Sequence, residues 1–195
     1  MENKQLNAKE SLDLIASMIQ NTQNSMERNA GVPFLIWGYT TIIISIIIWS
    51  LITITENYLW QFLWFALPAI SIPTTYITNR HNTKGITTYI DKIILQVWRV
   101  FGIAGFLVSI PAFFLEGYPV LFCIILLMGM GTALTGLILK FKPCIWSGFI
   151  AMALSHLCLI YSGLNSILIF ALVFLIMMVI PGHILNARAK KLSLQ

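Results

Sequence analysis

Two ionisable side chains stand inside otherwise apolar runs of this chain, Arg99 and His156. Ionisable groups at membrane depth are functional suspects by default, because burying them in hydrocarbon is costly unless they pair or line a cavity. Two fates are open to Arg99. It either bends back to the headgroups on its long stem, beside Trp98, or faces inward and binds an anion or a lipid headgroup. For His156 the choice is between a hydrogen bond to a carbonyl or hydroxyl on a neighbouring helix and a place with Arg99 along a solute path. His183, in Pro181-Gly182-His183, and Gln61 read as interfacial groups.

The groups that are missing narrow the chemistry further. No Asp or Glu lies in any apolar run, so a proton- or sodium-coupled carrier would lack its usual carboxylates. There is no HExxH, Walker motif, glycine-rich phosphate loop or carboxylate pair, and the Gly-x-Ser-Gly motif of rhomboid-type intramembrane proteases does not occur. The three cysteines, Cys123, Cys144 and Cys158, fall in apolar runs without a CxxC pattern, which predicts no metal site and no disulfide framework. No cofactor and no enzymatic activity are expected.

Composition identifies the solvent. Of 195 residues, 58% are apolar and 10% charged, against about 25% charged in soluble proteins. That excludes a conventional soluble enzyme or a nucleic-acid-binding domain in spite of a net charge of +5. Charged residues cut the chain into blocks: Arg28 to Glu56 encloses 27 uncharged residues, Glu56 to Arg80 encloses 23, Glu116 to Lys140 encloses 23, and Lys142 to Arg188 encloses 45. A hydrocarbon core about 30 Å thick needs about 20 helical residues. The last block is therefore two spans, broken at Ser162-Gly163-Leu164-Asn165-Ser166, and the run from Ile93 to Leu115 is one more. The expected fold is all-α, a six-helix membrane bundle with spans over 33–54, 57–78, 93–115, 118–139, 144–162 and 164–186. The expected divisions are an N-terminal amphipathic helix in 1–31, the bundle in 32–186 and a basic tail in 187–195. The first 31 residues lack the pattern of a removable signal peptide.

With the amino terminus inside, all 12 basic residues fall in inner segments or just beyond them (Arg99), while the outer turns carry only Glu56 and Glu116. This one-sidedness sets both termini on the cytoplasmic face. Trp37, Trp98, Trp146, Tyr39, Tyr76 and Tyr89 fall near inner ends of spans, and Trp60, Tyr58, Tyr118 and Tyr161 near outer ends, as aromatic belts do.

Asn7 and Glu10 fit a capping box, and Gly31 with Pro33 fits a stop, so a helix is predicted over about 8–30. Leu12, Ile15, Ile19 and Met26 form its apolar stripe, with Leu14 and Met18 alongside. Its charge is −1, from Lys9 and Arg28 against Glu10, Asp13 and Glu27, so anionic lipid does not hold it electrostatically. It either packs under its own bundle or docks a cytoplasmic partner or a second copy of the chain. Ile86, Tyr89, Ile90 and Ile93 mark a shorter inner element leading into the third span. The layout is similar to that of membrane subunits of some ABC exporters, an architectural analogy only.

Close packing in lipid relies on small residues. Gly129, Thr132, Ala133 and Gly136 form one stripe, and Gly148, Ala151, Ser155, Cys158 and Ser162 another; the two are expected to face each other across the Lys140-Phe141-Lys142-Pro143 turn. Pro68, Pro73 and Pro111 should bend their helices. Trp37-Gly38-Tyr39, Trp98 with Phe101-Gly102, and Trp146 with Gly148-Phe149 each open an outward span, a faint triple repetition.

Phe34-Leu35-Ile36-Trp37-Gly38 after a polar amphipathic helix, with Leu139-Lys140-Phe141-Lys142-Pro143 between later spans, resembles an uncharacterised family of bacterial six-span inner-membrane proteins. The resemblance supplies no activity; its members accompany small winged-helix regulators, which implies a regulatory partnership. The expected role is non-enzymatic, regulatory or scaffolding, through the N-terminal helix, with membrane lipids and a cytoplasmic protein or a second copy as partners. The alternative is a small permease or permease subunit for a lipid-like or anionic solute, with Arg99 and His156 on its path.

Overall fold

The computed structural model describes residues 8–82, 89–161 and 163–192, and of 8–30 it describes the helical backbone. The described residues contain helix and no strand. Five helical stretches are long and apolar enough to cross a membrane: Gly31–Thr55, Ile90–Phe113, Val120–Leu139, Lys142–Ile160 and Asn165–Arg188.

Helix α1 runs from Ala8 to Thr55 without a break, with Pro33 inside it. The expected stop at Gly31 and Pro33 does not occur: the expected N-terminal helix and the first span are one continuous element. Gly31 is used for close approach. A Cβ there would collide with the Asn186 side-chain oxygen of the last span, so the absence of a side chain brings two helices together and ends neither.

The second expected span, 57–78, is also not a single helix. The chain turns at Glu56, whose φ is 52°, and Asn57 caps a 3-10 segment, Tyr58–Phe65, by accepting from the Leu59 N–H at 2.9 Å. Helix α2 then spans Ala66–Asn82 and contains Pro73. Pro68, with no N–H to donate, lies just inside α2 and favours a change of winding there.

Helix α3 covers Tyr89–Ser109 and tightens into a 3-10 turn, Ile110–Phe113, at Pro111. The element expected around Ile86 falls in part outside the described residues, as does Ser162. Helix α4 is Val120–Leu139, and it ends in a left-handed cap at Lys140, where the Phe141 N–H returns to the Gly136 carbonyl at 2.8 Å. Pro143 lies in the first turn of α5, Lys142–Ser155, where a missing N–H costs nothing. A turn at His156 leads to the short α6, Leu157–Ile160.

The last span is α7, Asn165–Phe174, a π-helical segment Leu175–Val179, and α8, Ile180–Leu192. Pro181 has no N–H for the Met177 carbonyl four residues back. The Ile180 N–H reaches Leu175 instead, and the Ser147 hydroxyl of α5 points to the Met177 oxygen at 3.4 Å. A neighbouring helix thus takes up the freed carbonyl, which is how proline is tolerated at membrane depth.

Contacts fix the helix directions. Gly31 lies against Asn186, Gly38 against Met178 and Val179, and Gly182 against Phe34 and Leu35; Ile44, Ile48 and Ile52 share an apolar cluster with Ile167. Numbers rise along α1 as they fall along the last span, so the two are antiparallel. The last span is likewise antiparallel to α5 and α6, through Ser147 with Met177 and Cys158 with Ser166. Helices α5 and α4 are antiparallel through Gly148 with Ala133 and Gly136 with Ile145, and α4 and α3 through Gly131 with Phe101 and Gly105 with Ile124. Four reversals leave α3 running in the direction of α1. The core centres on the last span, where Phe170, Phe174 and Met177 are buried with Phe34, Ile125 and Cys144.

Candidate functional site

Helix α3 presents two unlike faces. Trp98 meets Phe34 edge-on at 5.8 Å between ring centres, Trp98 and Phe101 close over Gly131, and Gly105 sits over Met128 and Ile124. The opposite face is bare: Lys92, Gln96, Arg99, Ile103, Phe106 and Ile110 are all exposed. Only 6% of the apolar window of α3 is buried, against 33–56% in the other four long helices.

Depth follows from the same contacts. Gly131 is level with Trp98 and Phe101 and stands nine residues, about 13 Å, from Lys140 at the C-terminal end of α4. Arg99 therefore lies closer to the membrane centre than its place about six residues into the expected span implies. Its side chain makes no hydrogen bond or ion pair with the described residues. It is exposed on the bundle's surface and does not face the interior.

His156 sits at the break between α5 and α6, about 21 Å along the helix from Lys142. Its ring meets Phe122 edge-on at 5.3 Å, and Nδ1 approaches the Ala153 carbonyl at 3.3 Å and the Ser155 hydroxyl at 3.5 Å. Both polar neighbours belong to its own helix; the adjacent helix offers only an aromatic ring. Phe122 and Gly131 are nine residues apart on α4, so the levels of His156 and Arg99 differ by about 13 Å. No hydrogen bond, ion pair or ring contact joins the two, and they do not form one site.

The small residues of α4 and α5 do meet. A Cβ on Gly148 would lie 2.6 Å from the Ala133 nitrogen and 2.7 Å from the Gly129 oxygen, and one on Gly136 would lie 2.6 Å from the Ile145 nitrogen. Ala151 is fully buried between them, and Ser155 and Cys158 are buried above it. Thr132 is buried too, but its hydroxyl finds no partner, and neither do those of Ser71 and Thr75 on α2.

Leu12, Ile15, Ile19 and Met26 belong to the stretch of α1 described as backbone, and their i, i+3, i+4 register still places them along one side of that helix. Three contacts were not anticipated from the sequence. The Tyr39 hydroxyl and His183 Nε2 lie 2.7 Å apart and tie α1 to α8. Arg188 stands 6.0 Å above the Phe141 ring, which brings the α4–α5 turn beside the C-terminal helix. Gly31, Gly38 and Gly182 line the seam between the first and last spans. The seven-residue step from Gly31 to Gly38 was a readable signal for that seam, whereas the Tyr39–His183 pair, 144 residues apart, had none. Among the described residues no three His, Cys, Asp or Glu side chains converge as metal ligands would.

No family model, no curated protein and no solved structure matches the chain.

Proposed function

We propose that this chain is a non-enzymatic, six-pass protein of a bacterial inner membrane, with both termini cytoplasmic, that acts as a scaffold or regulator by presenting residues 8–30 to a cytoplasmic protein. The observation that carries this reading is the continuity of α1 through Gly31 and Pro33. Twenty-three helical residues beyond the first span extend about 35 Å. A helix that continues the axis of a transmembrane segment leads away from the bilayer, apart from the bend a proline introduces, and is poorly placed to lie flat on it. An apolar stripe of Leu12, Ile15, Ile19 and Met26 held in water needs cover, since amphipathic helices draw their stability from packing that face. The net charge of −1 over this stretch gives anionic lipid no claim on it.

Helix directions support six passes. Because α3 runs parallel to α1, the chain leaving α1 at Thr55 has to return across the membrane before α3 begins at Tyr89. Only 57–82 lies on that route among the described residues. Eight 3-10 residues at about 2.0 Å and seventeen helical ones at about 1.5 Å reach about 40 Å, enough for a core about 30 Å thick. A broken, proline-containing span is admissible where neighbours shelter it, and Trp64 of this segment packs edge-on against Phe170 at 5.3 Å. The permease alternative draws no such support, because its two residues lie on different helices and at different depths.

A photo-crosslinking residue placed at Gln20 or Gln23 in the full chain in living cells tests the reading. A specific polypeptide adduct, lost when the crosslinker is moved to the exposed Leu134 of α4, is the expected result. A self-adduct would replace the cytoplasmic partner by a second copy, and recovery of lipid alone would overturn the docking role.

A further inference from the structure

The bare face of α3 carries a pattern that the docking role of α1 does not use. Lys92, Gln96 and Arg99 are one stripe at i, i+4 and i+7, and Ile103, Phe106 and Ile110 continue it at the same steps. All six are exposed, the first three are hydrogen-bond donors with no partner among the described residues, and the last three are apolar.

We propose that this face binds one anionic glycerophospholipid from the leaflet on the Lys92 side, with the phosphate held between Lys92 and Arg99 and an acyl chain laid along Ile103, Phe106 and Ile110. Lys92 stands within about 3 Å of the level of the Lys140 turn, and Arg99 is about 10 Å deeper than Lys92 on the same face. An arginine side chain reaches about 6–7 Å, so the Arg99 guanidinium has to turn towards the headgroups, where the nearest anion is a lipid phosphate drawn inward. Lys92 approaches the same point from the interface, and Gln96 projects from the turn between them. Two cations bracketing one position, with an amide beside it, complement a phosphodiester and its polar substituent, and guanidinium forks suit phosphate oxygens.

Other occupants fit the face less well. A second copy of the chain cannot neutralise Arg99 from within the membrane, because no Asp or Glu lies in its apolar runs. A foreign transmembrane helix with a carboxylate would account for Arg99 and leave Lys92 unexplained. Free inorganic phosphate would leave the apolar half of the stripe uncovered. A lipid accounts for the cations and the apolar continuation together. The open space at Gly102, where a Cβ would meet nothing within 4 Å, leaves room for a chain beside the stripe.

The test uses the purified full chain in detergent micelles containing equimolar phosphatidylglycerol and phosphatidylcholine, with retained lipids counted by native mass spectrometry. One phosphatidylglycerol per chain, retained in preference to phosphatidylcholine and not displaced by excess inorganic phosphate, is expected. Arg99→Gln should lower that retention at least fivefold and Lys92→Gln by a smaller factor. Arg99→Lys should restore most of it, and Lys191→Gln should change nothing. Equal retention of the two lipids by the wild type, displacement by phosphate, or wild-type retention in both Gln variants overturns the proposal. Should Arg99→Gln fail to fold, Lys92→Gln at the interface carries the test alone. A photo-crosslinker at Ile103 that captures a polypeptide in cells would assign the face to a helix and also overturn it.

Discussion

Gly148→Ala should destabilise the bundle by at least about 3 kcal/mol, the upper end of ordinary overpacking. The added methyl would lie 2.6 Å from the Ala133 nitrogen and 2.7 Å from the Gly129 oxygen. Both are backbone atoms, so no rotamer change relieves the clash and α4 has to move off α5. The alanine gain in helix propensity, up to about 1 kcal/mol, offsets only part of that. On the scale of domains of about this size, where 1 kcal/mol moves the midpoint by about 2–4 °C, the thermal midpoint in detergent should fall by about 6–12 °C. Gly102→Ala makes the same chemical change on the bare face of α3, where nothing lies within 4 Å, and should be neutral or raise the midpoint slightly. Equal midpoints for the two variants would mean that the α4–α5 contact is not what holds the hairpin.

Gly38→Leu should have a comparable effect at the other seam. A Cβ at position 38 already lies 2.8 Å from Val179 Cγ2 and 3.1 Å from Met178 Cβ. These atoms belong to the π-helical segment whose freed Met177 carbonyl is taken up by Ser147 of α5, so the last span has little freedom to retreat. Leucine adds three more carbons to that conflict, and a loss of about 3 kcal/mol or more follows. Gly31→Ala is the informative contrast, because its two nearest atoms belong to the Asn186 side chain, which can swing aside, and the Asn186 backbone nitrogen at 3.2 Å has to yield by only a few tenths of an ångström, so the loss should be smaller than at Gly38. Differential scanning fluorimetry on the pair reads the difference. A Gly38→Leu variant as stable as wild type would remove the first–last helix seam from the account.

Much of this architecture is written in local signals. Uncharged runs from Arg28 to Glu56, Glu56 to Arg80, Glu116 to Lys140 and Lys142 to Arg188 mark where apolar helices lie, because a charge in hydrocarbon is expensive enough to serve as a boundary marker. Glycine and serine at three- and four-residue steps brought α4 and α5 together for the same reason that they are small. What stayed hidden depended on context. Gly31 and Pro33 carry the composition of a stop, yet a glycine serves equally as the place where another helix touches, and only the position of Asn186 distinguishes the two. The 3-10 entry to α2 and the π-helical turn before Pro181 answer local packing needs that periodicity does not encode. Arg99 was legible as an exceptional residue, but its depth and its outward aspect required knowing which face of α3 Trp98 and Phe101 occupy.

Membrane sidedness of the connection between α2 and α3 tests the six-pass reading most directly. In a chain whose three native cysteines are replaced by serine, single cysteines at positions 85, 117 and 194 are exposed in intact cells to a maleimide that cannot cross the membrane. Labelling at 117, with protection at 85 and 194 until the cells are opened, is the predicted result. Labelling at 85 while 194 stays protected would mean that 57–82 does not return across the bilayer.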